Sequence, residues 1–155
     1  MSANAAYADW IAVDWGTSNL RCWAMRDGEA VAEATSTKGM SGLAPSEFEP
    51  ALLELIAPWL GSEKMLVVAC GMVGSRQGWA EAKYAQAPSQ PLTQALAEAP
   101  THDSRISVRI VPGIRQNAPP DVMRGEETQI AGFLRLFPEF DGVLCLPGTH
   151  TKWVH

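Results

Sequence analysis

The sequence predicts a mixed α/β fold, and three observations support this prediction. Short apolar segments with the composition of β-strands recur along the chain, and segments with apolar residues at helical spacing lie between them. The 155 residues and the 46% hydrophobic content are sufficient for one packed core. Strands interspersed with helices in this order are typical of mixed α/β proteins.

Three strands and a helix are predicted in the first part of the chain. WIAVDW and LRCWAM flank a GTSN turn, so this opening segment is expected to be a β-hairpin. A third strand, AVAEATST, follows the turn at Asp27 and Gly28. The segment SEFEPALLELIAPWLG predicts a helix capped by Ser46, with Pro50 in its first turn and Pro58 bending or ending it.

The remaining elements are predicted from similar patterns. KMLVVACGM is expected to be a strand buried on both faces, and it leads into the glycine-rich loop GMVGSRQGW. LTQALAEA predicts a short helix, ISVRIVPGI a strand, and QNAPPDVMRG a loop, because paired prolines disfavour regular structure. GEETQIAGFLRLF predicts a second long helix, and GVLCLPGTHTKWV predicts a closing hairpin around a PGT turn.

The composition excludes several classes of function. A formal net charge of -5 argues against a nucleic-acid-binding face, which needs clustered Lys and Arg. The first residues lack the features of a secretory signal, and no apolar stretch approaches the roughly 20 residues that span a bilayer. Cys22, Cys70 and Cys145 lie within apolar segments, which predicts buried, reduced thiols. We therefore expect a cytoplasmic protein without nucleic-acid or membrane partners.

The turn after the first strand is the first candidate site. Asp14 ends an apolar strand, where open α/β sheets gather their ligands. Gly16 permits a tight turn, and Thr17 and Ser18 offer hydroxyls and amides to an anion. This turn could hold phosphate, with Asp14 orienting magnesium through water. An ordinary hairpin with a polar tip remains the alternative.

Two further loops carry candidate residues. In GMVGSRQGW, Arg76 could bind an anionic or polyhydroxy substrate through its planar donors, or it could be a solvated loop residue. In RGEETQ, a glutamate at a helix start could be a general base towards a substrate hydroxyl. Such glutamates often only complement the helix dipole.

A second Gly-Thr turn occurs near the end of the chain, in LPGTHTKW. Gly148, Thr149 and Lys152 could meet phosphate from the side opposite the first turn. His150 is interpreted as a hydrogen-bonded turn residue, because with only His102 and His155 elsewhere in the sequence no cluster of zinc ligands is formed.

The order of these motifs resembles the actin-hexokinase type of ATPase. DWGTSNLR, GMVGSRQGWxEAxY, VMRGEETQ and PGTHTKW together resemble the 2-dehydro-3-deoxygalactonokinase family of sugar-acid kinases, along essentially the whole chain. The resemblance implies a ribonuclease H-like (actin-like ATPase) mixed sheet with helices on both faces. It also implies ATP and Mg²⁺ as cofactors.

The resemblance assigns a role to each candidate residue. It makes Glu126 the catalytic base, because Glu126 directly follows Gly125. Glu127 is the alternative, since it is adjacent and this chain has Glu where the wider family of carbohydrate kinases usually has Asp. The residues implied to bind phosphate and ATP are Asp14, Gly16, Thr17, Ser18, Gly148, Thr149 and Lys152, with Asp14 also serving magnesium through water. The residues implied to bind the sugar acid are Arg76, Lys38, Ser75 and Arg124.

The same resemblance predicts the domain organisation and the reaction. Residues 1–142 are expected to form an N-terminal actin-like ATPase domain with the sugar-acid site, and residues 143–155 the opening hairpin of a second, otherwise absent domain. The implied reaction is ATP-dependent phosphorylation of 2-dehydro-3-deoxy-D-galactonate at its terminal (6-) hydroxyl. The alternatives are a non-catalytic sugar-acid-binding fragment and another actin-fold phosphotransferase. Self-association is also left open.

Overall fold

A computed structural model describes residues 7–93 and 95–155, which form eleven strands and two α-helices. The helices are α1 (Phe48–Ile56) and α2 (Glu126–Leu136). The strands are β1 (Trp10–Trp15), β2 (Leu20–Arg26), β3 (Glu29–Ser36), β4 (Met65–Cys70), β5 (Ala85–Gln86), β6 (Ala97–Glu98), β7 (Ile106–Ile110), β8 (Ile114–Asn117), β9 (Pro120–Met123), β10 (Leu144–Leu146) and β11 (Lys152–Val154).

The central sheet is mixed and has the strand order β3-β2-β1-β4-β7-β6. β1, β2 and β3 form an antiparallel meander, whereas β1 pairs with β4 and β4 with β7 in parallel. Because β1, β4 and β7 run in the same direction, the loops that follow them leave the same edge of the sheet. The prediction of a mixed α/β protein is confirmed.

Alternating burial along the strands builds the core. Every second residue of β1 is buried, and Trp15 is fully enclosed. Helix α1 packs on β2 and β3 and contributes Phe48, Leu52 and Ile56, which lie one turn apart on one helical face. The ring of Phe48 lies 5.3 Å from that of Trp15 and 6.0 Å from that of Trp79. This aromatic cluster ties β1, α1 and the glycine-rich loop together.

Helix α1 begins later than the sequence predicts. Residues 45–47 form a 3-10 turn, and the helix starts at Phe48, so Ser46 does not cap it. The Glu47 carboxylate instead accepts the backbone N–H of Ala44 at 2.7 Å. The predicted end is confirmed, because Pro58 lies in the 3-10 turn Ala57–Trp59 that follows the helix.

A buried carboxylate connects α1 to the segment before β7. Glu49 accepts the backbone N–H groups of His102 and Asp103 at 2.7–2.9 Å. Burial alone would raise the pKa of Glu49, but these hydrogen bonds and the His102 ring outweigh it and lower that pKa below its ordinary value. The charged carboxylate therefore fixes a loop that has no regular structure of its own.

Two predicted elements are wrong. LTQALAEA is not a helix in its described residues, since Ala97–Glu98 pairs with Ile110 and Arg109 at the sheet edge; Gln94 lies outside the described residues. Pairing with β7 overrides the local helical pattern. QNAPPDVMRG is not an irregular loop either, because β8 and β9 form a hairpin with Pro120 as the first residue of its second strand.

Two small sheets lie outside the central one, in the orders β5-β8-β9 and β10-β11. Together with α2 they border a cleft of about 420 Å³. The prediction of buried thiols holds for Cys22 but is wrong for Cys145, which is exposed because β10 belongs to a two-stranded hairpin. In residues 7–93 and 95–155, no helix is both long and apolar enough to cross a membrane.

Candidate active site

The first turn lies where the sequence places it. β1 ends at Trp15, and the N–H of Gly16 donates to the carbonyl of Asn19 at 2.9 Å, which closes the turn. Thr17 and Ser18 are exposed at its tip. Asp14 stands opposite Cys70 in the parallel β1–β4 pair. The carboxylate and the turn therefore share the edge at which β4 also ends.

A second loop covers this turn. The N–H groups of Met40 and Ser41 donate to the carbonyls of Gly16 and Thr17 at 2.9 and 3.1 Å. A Cβ on Gly39 would lie within 2.3 Å of the Ser18 backbone, so only glycine permits this approach. The turn is thus held by backbone contacts, which leaves its hydroxyls available.

The glycine-rich loop begins directly against β1. Gly71 follows β4 with φ of 95°, and a Cβ there would lie 2.8 Å from the carbonyl oxygen of Trp15 and 3.4 Å from Asp14 Oδ1. A side chain at this position would be strained and would also push on the Asp14 strand end. The loop therefore brings its backbone close to the carboxylate.

The start of α2 completes the site. Gly125 has φ of 111°, and a Cβ there would lie 3.6 Å from the Cα of Gly71. The Glu126 carboxylate accepts the N–H of Arg124 at 2.9 Å, and the Glu127 carboxylate accepts that of Gly125 at 2.7 Å. The turn that precedes the two candidate bases thus lies against the loop that borders Asp14.

The two glutamates differ in environment. Glu127 is fully buried, whereas Glu126 is half-buried. Burial raises the pKa of Glu127 from 4.5 to about 6, and the Glu126 charge adds to this rise, while the hydrogen bonds of the carboxylate and the Arg124 charge oppose it. Glu126 is therefore the more accessible carboxylate of the pair.

The sequence analysis did not assign two residues to this site. Burial raises the pKa of the Cys70 thiol to about 12, and the charges of Asp14 and Glu127 contribute while Thr128 opposes them. The two residues are Cys70, which stands opposite Asp14 in the β1–β4 pair, and Thr128 in the first turn of α2. The position of Cys70 directly before the glycine-rich loop was the available sequence signal.

Polar atoms without partners concentrate at this edge. Among the described residues, five buried side-chain atoms lack a hydrogen-bond partner, and all belong to the glycine-rich loop or the start of α2. They are Ser75 Oγ, Arg124 Nε, Arg124 Nη1, Glu127 Oε1 and Thr128 Oγ1. Buried polar groups are normally satisfied, so this concentration indicates a site for a polar ligand.

Other predicted residues are engaged elsewhere. The ammonium of Lys38 pairs with Glu54 of α1. The side chain of Arg76 is 88% exposed and only 3.9 Å from Glu81. Lys152 is buried and bonds to Asp121 of β9.

The second Gly-Thr turn, at Gly148 and Thr149, is exposed between β10 and β11. No hydrogen bond in the described part of the chain joins this turn to the first one.

A family model for 2-keto-3-deoxy-galactonokinase matches residues 14–155, a range that contains the site just described. The chain belongs to the 2-keto-3-deoxy-galactonokinase family. The resemblance noted from the sequence motifs is thereby confirmed.

Similar proteins support the assignment. A Rhizobium meliloti protein named "Probable 2-dehydro-3-deoxygalactonokinase" is 40% identical over 146 residues, which are 92% of this chain and 48% of that protein. The Escherichia coli 2-dehydro-3-deoxygalactonokinase is 36% identical over 95% of this chain and 49% of that protein. The chain spans about half the length of these relatives.

A solved structure shows the same architecture. The crystal structure of a protein from Sinorhizobium meliloti, assigned as a 2-dehydro-3-deoxygalactonokinase, has a TM-score of 0.82 and 38% sequence identity. The match covers 94% of this chain and 48% of that protein. The fold of this chain is therefore similar to that of about half of the solved structure.

Proposed function

We propose that this chain carries the sugar-acid site and the first phosphate turn of an ATP-dependent kinase for 2-dehydro-3-deoxy-D-galactonate. The product would be 2-dehydro-3-deoxy-6-phospho-D-galactonate, formed at the terminal hydroxyl. The observation that supports this proposal is that Asp14, the glycine-rich loop and the start of α2 meet at one sheet edge, where buried polar atoms lack hydrogen-bond partners. A kinase site needs hydrogen-bond donors for the phosphate oxygens, a pocket for the substrate and a catalytic base at the same place.

Glu126 is the proposed base. Its half-buried carboxylate can reach a substrate hydroxyl and accept its proton as the phosphoryl group transfers, whereas Glu127 is enclosed. The 2.9 Å bond from the N–H of Arg124 fixes the Glu126 carboxylate in place. Glu127 remains the alternative base, since its unpaired Oε1 atom lies in the same neighbourhood.

The first turn is proposed to hold ATP phosphates. The exposed Thr17 and Ser18 and the backbone of Gly16 offer donors to phosphate oxygens. In the described residues no group of three or more His, Cys, Asp or Glu could enclose a metal ion. A single carboxylate suits Mg²⁺, which keeps much of its water shell, so Asp14 would hold it through water. Mg²⁺ would neutralise charge on the phosphates.

The substrate residues are proposed from the loops around the base. Ser75 and Arg124 lie beside the start of α2 and have unpaired polar atoms. Arg76 is exposed and Lys38 is paired with Glu54, so their contact with the sugar acid would require those side chains to reorient.

The fold and the domain arrangement are also proposals. The mixed sheet supports a ribonuclease H-like (actin-like ATPase) fold, with residues 1–142 as the N-terminal domain and residues 143–155 as a hairpin of a second domain. Gly148 and Thr149 are exposed and would be open to phosphate, whereas Lys152 would meet it only when it leaves Asp121. Closure between the two domains would exclude water. A cytoplasmic location, without nucleic-acid or membrane partners, accords with this reaction.

A chimaera provides the test. This chain would be fused to the part of the Rhizobium meliloti relative that it does not match, and ADP release would be measured with ATP, Mg²⁺ and the sugar acid. We expect ADP release that requires the sugar acid, and a phosphate ester at the terminal carbon by NMR. The matched controls are the unfused chain and galactose as a neutral sugar. A folded chimaera that releases no ADP with any sugar acid would refute the proposal.

A further inference from the structure

The guanidinium of Arg124 is held in place without its charge being matched. Its Nη2 atom donates to the carbonyl of Ala82 at 2.9 Å, and its Cζ atom lies 4.3 Å from the centroid of the Tyr84 ring. Nε and Nη1 are buried and have no hydrogen-bond partner among the described residues. Buried N–H groups that lack a partner are costly, and these belong to a cation, so this arrangement favours an anion from outside the protein.

The glycine-rich loop contacts this guanidinium and carries a second unpaired hydrogen-bond donor. A Cβ on Gly74 would lie 3.0 Å from Arg124 Nη1 and 2.7 Å from the Ile110 side chain, so glycine is what permits the close approach. The next residue is Ser75, whose hydroxyl is also buried and unpaired. The loop backbone therefore lies against the guanidinium, and the hydroxyl of the next residue is a further unpaired donor on the same loop.

The carboxylates of the chain do not satisfy this arginine. Glu126 and Glu127 use one oxygen each for the backbone N–H groups of Arg124 and Gly125. The Arg124 charge acts on Glu127 through space and opposes the rise of its pKa, but no hydrogen bond joins the two side chains among the described residues. Arg76, the other arginine of the region, is 88% exposed and therefore solvated.

We propose that Arg124 and Ser75, with the Tyr84 ring behind the guanidinium, form the subsite for the carboxylate of the substrate. This inference rests on the proposed function and deepens it, since the subsite would select sugar acids over neutral sugars. A planar guanidinium matches a carboxylate, and the aromatic ring fixes its plane. Arg124 is half-buried, and its Nε and Nη1 atoms are the unpaired donors that the carboxylate would engage.

Calorimetric titration can test the subsite separately from catalysis. The ligands are 2-dehydro-3-deoxy-D-galactonate, its uncharged carboxamide, and the short 2-oxo acids pyruvate and 2-oxobutanoate. We expect Arg124→Gln to weaken binding of the acid by about 10- to 100-fold, as for loss of a hydrogen-bonded charge partner, with little change for the carboxamide. Ser75→Ala should weaken acid binding by about 3- to 10-fold.

The controls separate the possible outcomes. Arg135→Gln removes the same charge from the exposed end of α2 and should leave both affinities unchanged. Three results would each overturn the inference. Arg124→Gln could weaken binding of the acid and of the carboxamide equally, or Arg76→Gln alone could lose the preference for the acid. The third is that the parent chain binds no carboxylate. If Arg124→Gln unfolds, Ser75→Ala and Tyr84→Leu carry the test. Binding of 2-oxo acids without ADP release in the chimaera would support the subsite and reject only the proposed reaction.

Discussion

The Oε2 atom of Glu127 accepts the backbone N–H of Gly125 at 2.7 Å. Gly125 has φ of 111° and lies against Gly71, so this hydrogen bond holds the turn between β9 and α2 where it packs on the glycine-rich loop. A fully buried carboxylate thus orders the site, although burial disfavours its charged form.

Glu127→Gln is expected to stabilise the chain above about pH 6. Burial raises the pKa of Glu127 from 4.5 to about 6, so the folded state holds this proton more tightly than the unfolded state. Stability from this group therefore falls as the pH rises from 4.5 to about 6 and stays lower above that, by about 2 kcal/mol at most. Urea unfolding of the parent chain and of the variant, from about pH 4.5 to above pH 6, measures this pH dependence of stability. An unchanged pH dependence in the variant would contradict the assignment.

Glu126→Gln should lower kcat of the chimaera by about a hundredfold or more while leaving sugar-acid affinity intact, because the variant cannot accept the hydroxyl proton. The measurement is steady-state ADP release, with circular dichroism to confirm folding. Glu127→Gln is the matched comparison. If that variant loses turnover and Glu126→Gln does not, the base is Glu127.

Asp14→Asn is expected to raise the Mg²⁺ concentration needed for half-maximal ADP release by about 10- to 100-fold, because a neutral amide holds the metal-bound water less tightly. Magnesium titration of the chimaera measures this shift. Asp27→Asn is the control, since Asp27 lies on the turn between β2 and β3 and Asn tolerates its positive φ of 52°. An unchanged magnesium dependence in Asp14→Asn would exclude the proposed role.

Gly71→Ala should destabilise the chain by about 1–3 kcal/mol, because its φ of 95° strains any side chain and the new Cβ would lie 2.8 Å from the Trp15 carbonyl oxygen. Thermal unfolding measures the loss. Gly42→Ala is matched to it, since a Cβ at Gly42 meets nothing within 4 Å. Equal stabilities of the two variants would show that the approach of Gly71 to β1 is not tight.

Glu49→Ala is expected to cost roughly 2–4 kcal/mol of unfolding free energy, because the N–H groups of His102 and Asp103 lose their acceptor. The lowered pKa of Glu49 means that its contribution is present above the ordinary value of 4.5 and is lost as the pH falls through the lower folded value. Urea unfolding near neutral pH checks the first expectation, and an acid titration the second. The exposed Glu63→Ala should change neither, and a similar loss in that variant would argue against a specific contact.

The sequence predicted what depends on short-range patterns. Residues of β1 and β2 alternate around a polar turn, and the start of α2 is marked by Gly125 and two glutamates. The shared edge of Asp14 and Gly71 follows from parallel strands ending together.

The rest depends on contacts between distant segments. The stacking of Arg124 on Tyr84 and the burial of Glu127 arise only when the loop after β4 meets α2. The β8–β9 hairpin was missed because Pro120 disfavours a central strand, whereas here it begins one at the sheet edge. No local pattern specifies these arrangements.

The strand order of the central sheet also has a consequence for the folding rate. β1, β2 and β3 are neighbours in sequence and can pair with little loss of chain entropy. β1 meets β4 only when Ile11 reaches Val67, which requires closure of a long loop that contains α1. Parallel pairing of this kind slows folding. The antiparallel meander can therefore form from local contacts, whereas the edge that carries Asp14 and Gly71 is complete only once that long loop has closed.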